Sequence, residues 1–166
     1  MTLTLAETEA ERQAAFAIRR AVFIEEQAIP EAEEWDAHDA TATHLLLRQD
    51  GVPAATARLI ADGETAKIGR VAVMPGFRGR GLGREVMAHA LRLAEMQGLR
   101  RSVLDAQVQA LAFYEALGFV AEGPEFDDGS GILHRRMARA ARRVPGLANR
   151  DGRPGANIAR PHPEGA

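Results

Sequence analysis

The chain has 166 residues, 46% hydrophobic and 27% charged, with a net charge of −2 and no cysteine. That is enough chain for one domain with its own core, and the missing cysteines exclude disulfides, thiolate metal sites and a cysteine nucleophile. Residues 138–166 carry six arginines against two acids, while the rest carries 15 basic and 21 acidic residues, so a nucleic-acid function, which would place positive charge on the folded part, is not expected.

The first segment, MTLTLAETEAE, lacks a basic region followed by an apolar one, and no apolar run approaches the ~18 residues of a membrane span. A cytoplasmic protein with no membrane partner is expected. Thr8-Glu9-Ala10-Glu11 matches a capping box, and Ala14, Ile18 and Val22 follow at helical spacing. This predicts a helix from about 8 to 26, ended by Pro30. Residues 25–39 read as a loop with room for a second short helix.

His44–Arg48 reads as a strand, Gln49-Asp50-Gly51 as a turn, and Val52–Ala61 as the next strand. Asp62-Gly63 marks a second hairpin before a strand over 65–74, in which Ile68, Val71 and Val73 are apolar. A helix is predicted over 81–97, stopped by Gly98. A short strand over 102–106, a helix over 110–117, a strand over 119–122 and a last strand over 131–137 complete the series. From 138 onward apolar periodicity fades, leaving room for one helical turn at most. We assign a domain to 1–140 and an Arg/Pro/Gly-rich tail, expected to be disordered, to 141–166. Hairpins followed by a βαβ crossover predict an α/β (α+β) fold: a mixed central sheet with helices on both faces.

The stretch FRGRGLGREVM at 77–87 joins a strand to a helix with three glycines and three arginines in eight residues. Glycines that permit close backbone approach, next to a helix start with its free N–H groups, make an anion site suited to phosphate. Two common phosphate fingerprints fail. Gly76 and Gly81 have P-loop spacing, but Leu82-Gly83 follows instead of Lys-Ser/Thr. Neither Gly79-x-Gly81 nor Gly81-x-Gly83 completes a dinucleotide motif. The stretch instead spells R-x-x-G-x-G from Arg78 to Gly83.

Three segments together resemble the GNAT superfamily of N-acyltransferases: Gly69–Pro75 is similar to its central strand, Arg78–Gly83 to its pyrophosphate loop, and Gln107–Phe119 to its later helix, with Gln107 where asparagine is commoner. With the element order, the resemblance covers roughly residues 1–137. EEQAIP, EEWDAHD, LDAQ and GILH also resemble a subgroup of small bacterial members, which implies a fold and reaction class but no acceptor.

The resemblance implies acetyl-CoA as co-substrate and no metal. Its pyrophosphate would lie on the backbone of Gly79, Arg80, Gly81, Leu82, Gly83 and Arg84, with charge added by Arg78, Arg80 and Arg84. Its arm would pair with Val71, Ala72 and Val73, with Gln107 and Phe113 also on the cofactor side. A backbone N–H near Val71 would stabilise the thioester oxygen. Tyr114, the only tyrosine, fills the slot where the family's phenol protonates the sulfur; otherwise it is a core aromatic.

No general base transfers by motif. Glu34, Asp36, Asp39, His44 and His134 are all open, with Glu34 favoured because EEWD lies in the loop bordering the acceptor site in the resembled fold. A buried, satisfied histidine is the plainer reading of His44 and His134. Residues 25–39 hold seven acids and no Lys or Arg, either an acidic mouth for a cationic amine or a solvated loop. Asp127-Asp128-Gly129 is a turn or a second acidic rim. The acceptor is expected to be a small-molecule or peptidyl amine. A homodimer is admitted by the family's habits. A non-catalytic acyl-CoA sensor is the alternative function.

Overall fold

An unbroken apolar run such as Leu45-Leu46-Leu47 suits a strand covered on both faces. The computed structural model describes residues 1–142 and has that arrangement. One seven-stranded sheet runs in the order β1-β2-β3-β4-β5-β7-β6. Its strands are β1 (Thr2–Leu5), β2 (Thr43–Gln49), β3 (Val52–Asp62), β4 (Thr65–Val73), β5 (Arg101–Gln107), β6 (Val120–Asp127) and β7 (Leu133–Ala140). All neighbours pair antiparallel except β4 and β5, which are parallel. Helix α1 (Glu9–Arg19) covers one face; α3 (Leu82–Met96) and α4 (Leu111–Glu115) cover the other, and α2 (Glu31–Glu34) is a single turn in the intervening loop.

Side-chain alternation divides the core accordingly. Leu45 and Leu47 pack with Val86, Met87 and Ala90 of α3, whereas Leu46 packs with Ala15, Ile18, Val22 and Phe23. Burying an aliphatic side chain of this size contributes roughly 1.5–3 kcal/mol, so the two layers fix which helix lies on which face.

The capping box forms as the sequence implies: the Glu11 N–H donates to the Thr8 hydroxyl and the Thr8 N–H to the Glu11 carboxylate, both at 3.1 Å. The first helix, expected as one piece to residue 26, instead widens into a π-helix over Arg20–Glu26. The wider turns set Val22 and Phe23 against Leu46 and Ala72 of the sheet. Pro30 does not end this helix. Ala28, at φ 56°, has already turned the chain, and Pro30 caps α2.

At the sheet edge, β6 continues past the expected limit of 122 through Gly123-Pro124, with a register shift between Glu122 and Phe126. An edge strand tolerates proline because one side needs no ladder donor. β7 also runs past 137: Ala138, Arg139 and Ala140 pair with Val103, Ser102 and Arg101 of β5. Strand therefore takes the place of the single helical turn admitted after 138. The rest of that segment, 143–166, lies outside the described residues.

Two features of β4 open the sheet. It pairs with β5 only at Thr65, Ala66 and Lys67, so beyond Lys67 its β5-facing edge carries free backbone groups. It also bulges. Gly69 faces Arg58 and Ala72 faces Thr56, so Arg70 and Val71 together oppose Ala57. Arg70 takes the left-handed conformation, φ 52°, uncommon for a non-glycine residue. The extra residue flips the strand's parity: Ala66 and Ile68 face the α3 layer before it, and Val71 and Val73 after it.

Candidate active site

Two cavities occupy the opening between β4 and β5. The first, about 460 Å³, is lined by Val71, Ala72 and Val73 on β4, by Phe113 and Tyr114 on α4, and by Phe23 of the π-helix among others. The glycine loop borders it. Gly79 and Gly81 have φ of 77° and 78°, a conformation with a steric cost for any other L-residue. At Gly83 a Cβ would meet the Phe113 ring at 3.4 Å and Val73 at 3.6 Å, ordinary contact distances, so packing alone does not demand glycine there. Gly81 caps α3, its carbonyl accepting from the Glu85 N–H at 3.1 Å. The N–H groups of Leu82, Gly83 and Arg84 are therefore first-turn donors without intrahelical partners.

The three loop arginines divide their tasks. Arg78 turns away from the loop, donating to the Val73 carbonyl at 3.0 Å and to both Glu26 carboxylate oxygens at 2.7 and 2.6 Å. Arg80 lies over the Phe77 ring, 5.6 Å from its centre. Among the described residues neither Arg80 nor Arg84 makes an ion pair, so their charge is available to an anion on the loop.

Tyr114 is 9% exposed and lines the first cavity. Its ring meets Phe113 edge-on at 4.9 Å. Burial pushes the phenol up to about 12, so it keeps its proton throughout the neutral range.

The second cavity, about 530 Å³, lies on the other side of the opening, between the 29–38 segment, β3, β4 and the β6–β7 turn. Phe23, Asp105, Gln107 and His134 line both cavities, so the two meet there. Gln107 forms a reciprocal amide pair with Gln27, at 2.8 and 3.2 Å. Asp105 is paired with Arg136, its cross-strand neighbour.

Beside the second cavity is a buried charge cluster. Arg19, fully buried, donates to Glu34 at 2.9 Å and to both carboxylate oxygens of Asp39 at 2.7 and 3.1 Å. Arg58 holds Asp36 at 2.8 Å and Asp39 at 2.9 Å, and Arg70 reaches Glu34 at 3.2 Å and donates to its carbonyl. The left-handed Arg70 of the bulge is thus tied to the loop that roofs the cavity. Burial opposes ionisation of Asp39, but hydrogen bonds and charge from Arg19 and Arg58 outweigh it and hold the carboxyl well below the usual range. For Glu34 burial wins and raises the carboxyl, against the pull of Arg70 and Arg19.

This cluster changes the meaning of the acidic 25–39 stretch. Glu26, Glu31, Glu34, Asp36 and Asp39 are each paired with an arginine. Among the described residues only Glu25 and Glu33 of the seven acids make no ion pair. Trp35 lines the second cavity and also stacks on Arg19, whose guanidinium lies 4.8 Å from the ring centre.

The structure gathers Val71, Ala72, Val73, Arg78, Gly83, Gln107, Phe113 and Tyr114 around one cavity. Gly79, Arg80, Gly81, Leu82 and Arg84 lie on the adjoining loop and helix start, Leu82 anchored in the core. Glu34 and Asp36 border the second cavity. His44 lines neither; its Nε2 bonds the Asp39 carbonyl at 2.9 Å and its ring packs on Phe16. Phe23, Glu26, Gln27 and Asp105 line the first cavity without having been singled out in the sequence. A π-helix leaves no period to read. The bulge does leave a trace, the apolar spacing of three between Ile68 and Val71 where a regular strand has two.

The glycine-capped helix start lies beside the splayed, bulged strand β4, and comparison with known proteins identifies this scaffold. The model of the acetyltransferase (GNAT) family matches residues 8–119. The uncharacterised N-acetyltransferase YjcF of Bacillus subtilis is 30% identical over 140 residues, 84% of this chain and 99% of that protein. Among solved structures, an acyl-CoA N-acyltransferase from Pseudomonas aeruginosa is 33% identical with a TM-score of 0.75, covering 84% of this chain and 100% of that one. Escherichia coli ElaA is 27% identical with a TM-score of 0.76, covering 84% and 99%. The chain belongs to the GNAT acetyltransferase family, whose common chemistry is acyl transfer.

Among the described residues no helix is long and apolar enough to cross a membrane.

Proposed function

We propose that this protein is an acetyl-CoA-dependent N-acetyltransferase that moves the acetyl group directly to a primary amine of a small molecule or peptide in the cytoplasm. One observation carries this reading: the cavity bordered by the glycine loop and the cavity on the opposite side of the opening meet at Phe23, Asp105, Gln107 and His134. Two reactants can enter from opposite sides and touch.

In this reading each group on the first side has a distinct task. The loop backbone from Gly79 to Arg84 receives the pyrophosphate at the positive end of α3. Arg80 and Arg84 supply charge, while Arg78, bound to Glu26, braces the loop against the π-helix. The unpaired edge of β4 over Val71–Val73 suits an added strand-like arm. Within the bulge, the N–H near Val71 points charge-stabilising dipole at the reacting oxygen. The thioester supplies an activated acetyl group. Tyr114, still protonated at neutral pH, gives its proton to the departing sulfur and regains one from the acylated nitrogen.

The test is release of free CoA from acetyl-CoA across a library of amines. Amine-dependent release that collapses in Tyr114→Phe supports the reading. Tight CoA binding without turnover on the whole library would favour a non-catalytic acyl-CoA sensor instead.

A further inference from the structure

Three polar side chains stand where the two cavities meet, and two of them are already committed. Asp105 is neutralised by Arg136, and Gln107 is locked to Gln27. The third is His134, 6% exposed. Its Nδ1 lies 2.7 Å from the Ile132 carbonyl oxygen. A carbonyl only accepts, so Nδ1 carries the hydrogen, and the neutral ring must hold its lone pair on Nε2.

That Nε2 faces Oδ2 of Asp128 at 3.6 Å. The distance exceeds a hydrogen bond, and both atoms are acceptors. The arrangement is held, not incidental. The other carboxylate oxygen of Asp128 accepts from the Ser130 N–H at 3.0 Å, and Asp127 binds the N–H groups of Gly129 and Gly131 at 2.9 and 3.0 Å. Glu33, across the cavity, packs against this turn so tightly that a Cβ on Gly129 would lie 2.9 Å from its carboxylate. Nε2 and the Asp128 carboxylate are thus two acceptors 3.6 Å apart at the cavity junction, close enough for one nitrogen beside them to donate a separate N–H to each.

We propose that His134 is the general base of the acyl transfer and that Asp128 receives the acceptor as an ammonium, an assignment that rests on the acetyltransferase reading above. The ammonium donates one N–H to Asp128 and one to Nε2. His134 takes that proton and becomes an imidazolium, which the adjacent carboxylate stabilises; the proton later passes to water. The freed nitrogen lone pair forms the N–C bond to the acetyl carbon as the C–S bond breaks. The sulfur takes the Tyr114 proton, and the second N–H proton restores the phenol. Asp105 with Arg136, an internally neutral pair, and Glu33 lie near His134 and Asp128, and Lys67 lines the second cavity with Glu34, Asp36, Arg58 and Arg70 of the charge cluster.

The experiment compares two small probes at one neutral pH with saturating acetyl-CoA: ethylamine, which is protonated in water, and methoxyamine, a much weaker base that is largely not. His134→Asn keeps a donor for the Ile132 carbonyl while deleting Nε2. It should lower ethylamine-dependent CoA release by about 100-fold and methoxyamine-dependent release far less. A merely structural role would depress both alike, and equal losses, or none, would overturn the assignment. Asp128→Asn, at a more exposed position, should shift the same ratio in the same direction and raise the KM for ethylamine. An unchanged ratio there would overturn the role of Asp128. No release by the wild-type protein with either probe or with any amine of the library would instead remove the acetyltransferase reading, and this assignment with it.

Discussion

The two cavities of this protein are built from different materials. The side bordered by the glycine loop is mainly backbone: the loop of 79–84, the first turn of α3 and the free edge of β4. The opposite side is mainly charged side chains drawn from scattered segments, with Arg19, Glu34, Asp39, Arg58 and Arg70 meeting across up to 51 positions of sequence. Backbone recognition needs particular residues at fixed local spacing, above all glycine. Side-chain recognition can be assembled from anywhere the fold brings together. The first therefore suits a ligand common to a whole family, and the second suits an acceptor that varies among its members.

Substitutions on each side should accordingly fail in different ways. The largest effect is expected at Tyr114: Tyr114→Phe should reduce kcat by about 10²–10⁴-fold with little change in CoA affinity measured by calorimetry. A normal kcat would return this residue to the core. On the charged side, Arg19→Ala leaves Glu34 with only Arg70 and Asp39 with only Arg58, and should cost about 3–5 kcal/mol in urea unfolding. Loss below about 1 kcal/mol, the range of an exposed pair, would show that the cluster does not hold the cavity roof.

A smaller and more selective effect is expected on the loop. Gly81→Val forces a β-branched residue into φ 78°, costing about 1–2 kcal/mol locally. It should weaken CoA binding about tenfold or more while leaving the acceptor side intact. An unchanged affinity would place the phosphates elsewhere. The smallest effect concerns acid. The Asp39 carboxyl is held below its ordinary value of 3.8. Its contribution to stability is therefore full above that value and is lost as pH falls below it toward the folded-state titration. Thermal melts should show Arg19-dependent stability at pH 6 and progressively less below about pH 4. Stability rising on acidification would contradict the ion-pair account.

The same contrast explains what could be read in advance. The mixed sheet, the capping box at Thr8 and the helix after Gly81 follow from local patterns of alternation, 3.6-residue spacing and glycine placement, whereas Val71–Val73, Gln107, Phe113 and Tyr114 were legible only through the resemblance of their motifs to the GNAT superfamily. The roles of Arg58 and Arg70 left no such pattern, because their partners come from a separate loop. The acidic 25–39 segment showed its charge but not that five of its seven acids are neutralised from outside it. The extension of β7 to Ala140 was hidden because Arg139 and its neighbours are held by pairing to β5 and β6 more than by apolar alternation. His134 was visible as a histidine in a strand. Its placement where the cavities join required the crossover that sets β7 beside β5.

A crystal structure of the CoA complex tests the central claim most directly. The account predicts the pyrophosphate on the backbone of Gly79–Arg84, the arm paired with Val71–Val73, and the sulfur beside Tyr114, facing the cavity junction at His134. CoA bound through the second cavity, or with its sulfur directed away from Tyr114, would contradict it.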